Sequence, residues 1–133
     1  MSLLFVDTGV WYAASLPEDR DHALCRTALA SATARLLTTD YVLDELLTLL
    51  SARGHRDVAV SVGQRLLEED TVTLLRITDA DIAEAWRVFK SFTDKRWSFT
   101  DCTSYAVMQR LAIGEALALD DHFRQFGFLK VRP

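Results

Sequence analysis

An α/β fold, with a central, mostly parallel sheet flanked by helices on both faces, is expected from three features of the sequence. Short apolar runs of strand length alternate with segments of helical periodicity along the chain, the order that produces parallel sheets. The first run, Leu3-Leu4-Phe5-Val6, is apolar at every position and not at alternate ones, as in a strand covered on both faces. The chain has 133 residues, half of them hydrophobic. It carries no internal repeat, low-complexity tract or linker-like stretch. It therefore reads as a single domain over 1–133 that needs no disulfide or metal staple to fold.

The elements follow in order. Asp7-Thr8-Gly9 breaks the first strand, and a short helix is expected over 10–14. Pro17-Glu18-Asp19-Arg20-Asp21 reads as a polar loop. Positions 22–33 carry a helical pattern, with Leu24, Ala28 and Leu29 at one-face spacing. A strand over 35–39 leads to Asp40, placed to cap a helix over 41–52 whose apolar arc is Val42, Leu43, Leu46, Leu47 and Leu50. Gly54 is the expected left-handed cap beyond it. A helix over 57–69 and a strand over 72–77 come next. Thr78-x-x-Asp81 is a capping box, opening a helix that turns Ile82, Ala85, Trp86 and Phe89 to one face. After a charged loop over 93–97, Ser98-Phe99-Thr100-Asp101 opens a helix to about position 111, with Gly114 just past its end. A strand over 116–119, a helical turn over 120–124 and a last strand over 128–131 complete the chain.

Several classes of protein are excluded. No apolar stretch approaches the roughly 18 residues of a membrane span. The N-terminus lacks the basic start and cleavage site of a signal peptide. Cys25 and Cys102 stand alone, as reduced buried thiols of a cytoplasmic protein do. There is no glycine-rich phosphate loop, and no Gly-x-Ser-x-Gly or Cys–His arrangement for nucleophilic catalysis. The net charge of −4 argues against a simple nucleic-acid binder. Setting four acids aside in one site, however, leaves 15 charges of each sign.

Four acids fall at informative places. Asp7 and Asp120 each directly follow an expected strand, so both emerge at the C-terminal edge of the sheet, where open α/β folds bind ligands. Asp101 sits in the first turn of a helix, where loose amides and the helix dipole favour an anion. Glu45 lies one turn into its helix and borders the apolar arc beside Leu49. Asp44 falls about 100° further round, on the solvent side. Taken singly, Asp7 and Asp120 read equally well as N-caps, Asp101 as a capping-box residue and Glu45 as a surface glutamate. They carry chemistry only if the fold brings them together.

The motifs Asp7-Thr8-Gly9-Val10-Trp11-Tyr12, Val42-Leu43-Asp44-Glu45-Leu46-Leu47, Ser98-Phe99-Thr100-Asp101-Cys102 and Leu119-Asp120-Asp121-His122-Phe123, with Phe126-Gly127-Phe128 beyond, resemble those of PIN-domain ribonucleases. The likeness is to the VapC-type toxins of toxin–antitoxin pairs and covers the whole chain. It implies a PIN-like three-layer fold. Asp7, Glu45, Asp101 and Asp120 match the family's four acids, and Thr8 and Thr100 its supporting hydroxyls. Asp121 occupies the variable place beside the fourth acid. The resemblance also implies a pocket for Mg²⁺ or Mn²⁺, cleavage of RNA, a small cognate antitoxin, and a homodimer.

A hard ion prefers oxygen ligands, and Asp7, Asp101 and Asp120 are the expected metal ligands, with Glu45 aiding the nucleophile. RNA also needs cations on the rim. Arg53, His55 and Arg56 form one candidate cluster; Lys90, Lys95 and Arg96 form another. His122 either touches phosphate or packs locally. Trp11, Trp86 and Trp97 read as core or interface aromatics. Two other readings compete: a catalytically silent module whose acidic pocket docks a basic partner segment, and a metal-dependent phosphatase or DNA nuclease.

Overall fold

A computed structural model describes residues 2–127 and 130–132. The elements run β1 (Leu3–Val6), α1 (Thr8–Ser15), α2 (His22–Ser31), β2 (Arg35–Thr39), α3 (Asp40–Ala52), α4 (Arg56–Glu68), β3 (Val72–Leu75), α5 (Asp79–Ser91), α6 (Phe99–Arg110), β4 (Glu115–Leu117), α7 (His122–Gln125) and β5 (Lys130–Arg132). Phe128 and Leu129, the expected start of the last strand, lie outside the described residues, as does the Phe128 of the final motif.

The five strands form one sheet in the order β3-β2-β1-β4-β5. Every pairing is parallel, with Leu4 opposite Leu36 and Val6 opposite Leu117. Leu4, Phe5 and Val6 are all buried. Because successive side chains point to opposite faces, a fully buried strand requires cover on both, and the helices supply it in a three-layer arrangement. The chain builds outward from β1 through β2 to β3, then returns to β4 on the other side of β1. The order therefore reverses between β1 and β4, and the crevice at their C-terminal ends is where such a fold binds ligands. Asp7 N–H donates to Leu117 O at 3.0 Å and closes the two strand ends together.

Local departures from expectation have local causes. Thr39, not Asp40, caps α3: its hydroxyl accepts Val42 N–H at 3.1 Å, while the Asp40 carboxylate accepts Ile77 N–H at 3.0 Å and ties α3 to the chain leaving β3. Gly54 takes the left-handed conformation expected of it (φ 83°). After α6 a non-glycine residue, Ala112, takes the same conformation (φ 55°). The third and fourth strands stop at Leu75 and Leu117, two residues earlier than expected.

α5 is rotated from its expected face. Asp81, Ala85 and Val88 are buried, whereas Trp86 and Phe89 are 54% and 42% exposed. The cause is an ion pair: Arg110 of α6 donates from Nε and one terminal nitrogen to the two Asp81 oxygens at 2.8 and 2.9 Å. Burial alone would raise the Asp81 carboxyl, but the Arg110 and Thr78 hydrogen bonds outweigh it and hold it below the ordinary carboxylate value. A second small core of Ala85, Val88, Trp97 and Cys102 fills the seam between α5 and α6. Arg110→Ala, which strands a buried carboxylate, is expected to destabilise the protein by about 2 kcal/mol, discounted for the exposure of the arginine. The midpoint of urea unfolding measures this, and an unchanged midpoint would show that the pair is not what orients α5.

Cys25 and Cys102 are free and buried, and burial pushes both thiols up to about 11. Among the described residues no helix is long and apolar enough to cross a membrane.

Candidate active site

The four acids reach one place from four separate elements. Asp7 follows β1, Glu45 sits on α3, Asp101 lies in the first turn of α6, and Asp120 lies in the link from β4 to α7. All four line a single open cavity of about 410 Å³ at the C-terminal edge of the sheet. Thr8, Tyr12, Arg53, Ser98 and His122 line it too.

Asp7 occupies the N-cap position of α1 in an extended conformation, yet its side chain makes no capping hydrogen bond. It is buried, and its Oδ1 has no hydrogen-bond partner among the described residues. Burial, then the charges of Asp101, Asp120 and Glu45, raises its carboxyl well above the ordinary value; the Thr8 amide offsets only part of this. A helix cap would have used that oxygen, so the capping reading fails at this position.

Asp101 does serve as a cap. Its Oδ2 accepts Ser98 N–H at 3.0 Å, and Ser98 Oγ accepts Asp101 N–H at 3.0 Å, completing the capping box. The same Oδ2 meets His122 Nδ1 at 2.6 Å. The capping box fixes the side chain on the cavity wall, so the structural role and the site role coincide. Burial raises the Asp101 carboxyl, and the Ser98 amide and His122 pull it part of the way back.

Glu45 is half-buried and accepts the Thr8 hydroxyl on Oε1 at 2.5 Å. Burial raises its carboxyl, Thr8 offsets part of the rise, and Asp101, Asp120 and Asp44 add to it. Asp44 itself is exposed, as the helical pattern indicated. Asp120 accepts His122 N–H on Oδ1 at 3.1 Å. Its neighbour Asp121 pairs with Arg124 at 3.3 Å and is not part of the cavity wall. Thr100 is not in that wall either; its carbonyl takes the Thr103 hydroxyl at 2.7 Å inside α6.

Two features went unread in the sequence. Asp19 and Asp21, in the loop after α1, also line the cavity, and no periodicity places a loop over a distant strand end. His122 bonds directly to Asp101, a partnership between residues 21 apart that spacing does not reveal.

The residues present fit a hard divalent cation. Among the described residues, no three Asp, Glu, His or Cys side chains as they stand are drawn close enough to hold an ion. Like charges in a low-dielectric pocket repel, so a closed cage of acids is not their resting arrangement. The donor set is nevertheless all oxygen, as such an ion requires. The buried, unpartnered Asp7 oxygen is a desolvated acceptor whose cost a cation removes.

Comparison with known proteins finds relatives over nearly the whole chain. The chain matches the PIN domain over residues 4–129. It is 36% identical over 133 residues to the "23S rRNA-specific endonuclease VapC20" of Mycobacterium tuberculosis, covering 98% of this chain and 99% of that one. The crystal structure of M. tuberculosis VapC20, described as a "Sarcin-Ricin loop cleaving toxin", superposes with a TM-score of 0.91 at 32% identity, over 99% of this chain and 100% of that one. FitAcB from Neisseria gonorrhoeae superposes with a TM-score of 0.72 at 12% identity, over 98% and 96%, a likeness of fold alone.

Proposed function

The chain belongs to the PIN-domain family and is a ribonuclease of the VapC toxin type; from that premise we propose that it cuts 23S ribosomal RNA at the sarcin–ricin loop, using Asp7, Glu45, Asp101 and Asp120 as its catalytic acids. The observation that carries the site assignment is the shared cavity, reached from four elements with Asp7 Oδ1 left unpartnered. The substrate comes from the relative's own activity.

PIN-domain ribonucleases work with a divalent metal. Here Asp7, Asp101 and Asp120 would hold Mg²⁺ or Mn²⁺, their carboxylates drawing closer around the ion than they stand without it. When bound, the ion supplies Lewis acidity beside the phosphate and makes the attacking water easier to deprotonate. The protein's own groups do the rest. His122 and the Ser98 amide both hold Oδ2 of Asp101, which leaves Oδ1 as the oxygen free for the ion. Thr8 holds Oε1 of Glu45, leaving Oε2 to accept a proton from water. In the metal-free site burial raises the Glu45 carboxyl, and a cation bound beside it would draw it back down and keep it charged as an acceptor.

The partners are the RNA, a small cognate antitoxin and a second copy of this chain, in the cytoplasm. A strip of exposed aromatics joined through the half-buried Phe99 supports the second copy: Trp86 stacks on Phe89 at 6.2 Å, Phe89 meets Phe99 at 5.8 Å, and Phe99 meets Tyr41 at 6.5 Å. Four intact acids around an unpartnered carboxylate oxygen favour catalysis over the silent docking module.

Cleavage of a sarcin–ricin RNA with added Mn²⁺, set against Asp101→Asn, tests the reading. No cutting by a folded parent, or equal cutting by both, overturns it. A second check reads stability. The folded-state values of Asp7, Glu45 and Asp101 lie above their unfolded ones. The folded state therefore holds more protons than the unfolded one across that interval. In EDTA, the melting temperature should accordingly fall as pH rises from about 4 through the raised values. Mn²⁺ competes with those protons, so its stabilisation should be larger at pH 7.5 than at pH 5. At a hundred times Kd it amounts to about 2.7 kcal/mol, or roughly 10 °C in Tm. Equal shifts at both pH values would remove the acids from the ion's site.

A further inference from the structure

Building on the ribonuclease reading above, we infer that Arg53 and Arg96 are phosphate-binding positions at the two sides of the acidic cavity, holding the RNA backbone before and after the phosphate that is cut. The need for them is electrostatic. Asp19 and Asp21 add to the four acids around the cavity, so a polyanion must be brought over a strongly negative pocket.

Arg53 stands on the wall formed by α1 and α3. Its backbone N–H closes α3 on Leu49 O at 3.1 Å, and its guanidinium lies 5.1 Å from the centre of the Tyr12 ring, itself part of the wall. The stacking holds the cation at the cavity edge, so less side-chain entropy is lost when it binds.

Arg96 lies beside a different wall residue, His122. It lines a second depression that shares His122 with the acidic cavity. The other charges of that depression are matched locally, Lys95 with Asp94 at 3.4 Å and Asp121 with Arg124 at 3.3 Å. The loop carrying Arg96 is anchored by its neighbour Trp97, which is buried, donates from Nε1 to Gln125 at 2.8 Å and packs on Phe126 at 4.4 Å. Among the described residues neither Arg53 nor Arg96 is in an ion pair with a carboxylate, and both are exposed. Guanidinium groups present a planar fork that suits phosphate, and contacts of this kind position a strand without reading its sequence.

The test measures binding as a function of salt. Full-length protein in the non-cleaving Asp7→Asn background is titrated with two labelled RNAs, a 23S rRNA fragment carrying the sarcin–ricin loop and an unrelated hairpin. For Arg53→Gln/Arg96→Gln, the slope of log affinity against log salt is expected to shrink by about 1.4, at about 0.7 per lost phosphate contact. Affinity for both RNAs should drop by the same factor, about tenfold at 100 mM salt. Arg26→Gln/Arg65→Gln removes the same charge from a separate groove lined by α2 and α4 and should leave both readings near the parent's. An unchanged slope, an equal change in the control, or a loss confined to one RNA overturns the inference. Cleavage by the chain with Asp7 intact is run alongside. Its absence overturns the ribonuclease reading, whereas cleavage with unchanged slopes overturns only the phosphate positions.

Discussion

Asp7→Asn is expected to lower RNA cleavage by at least about a hundredfold while raising the melting temperature of the metal-free protein. The two effects share one cause. Asp7 is buried at the crevice between β1 and β4, with one oxygen unpartnered and three other acids acting on its charge. Asparagine keeps the size and removes the charge, so the desolvation and repulsion carried by the folded state disappear. A gain of about 1 kcal/mol, or roughly 4 °C, is the size such relief brings at functional sites. The same change removes the charged oxygen proposed to hold the ion. Cleavage in Mn²⁺ and thermal unfolding in EDTA read the two effects separately. A lower melting temperature in EDTA would mean that the carboxylate serves the fold as an ordinary cap; retained cleavage would take Asp7 out of the site.

What could be read from the sequence divides along physical lines. β1 and β2 are defined by local apolar pattern and were legible to the residue, as were the capping boxes of α5 and α6, whose partners lie three residues apart. The face of α5 was not legible, because a bidentate bond from Arg110, 29 residues away, outweighs the apolar stripe of Trp86 and Phe89. The site shows the same split. That Asp7 and Asp120 lie at the sheet's C-terminal edge follows from their positions after strands. That Glu45 joins them depends on α3 being laid beside α1, where Thr8 bonds it. The loop acids Asp19 and Asp21 reach the cavity with no sequence signal at all.

Phe123→Ala should be the most damaging single change outside the acids, destabilising the protein by about 3–5 kcal/mol. Phe123 is fully buried, its ring 5.7 Å from Phe5 and 5.8 Å from Phe126. α7 has only four residues, too short to hold itself by backbone bonds, so its place depends on this side chain. Phe5 lies in β1 two residues before Asp7, and His122, the partner of Asp101, immediately precedes Phe123. One aromatic contact therefore sets the mount of Asp7 against the mount that steadies Asp101. Against a typical total stability of about 5–15 kcal/mol, such a loss leaves a marginal fold. Phe123→Leu fills most of the space and should cost less than about 1.5 kcal/mol. Urea midpoints rank the two variants. Cleavage is then compared at a temperature where both stay folded, and there the alanine variant should still cut more slowly, because a loosened α7 lets His122 drift from Asp101. Equal rates at equal folded fraction would show that Phe123 holds the core together but has no part in aiming the acids.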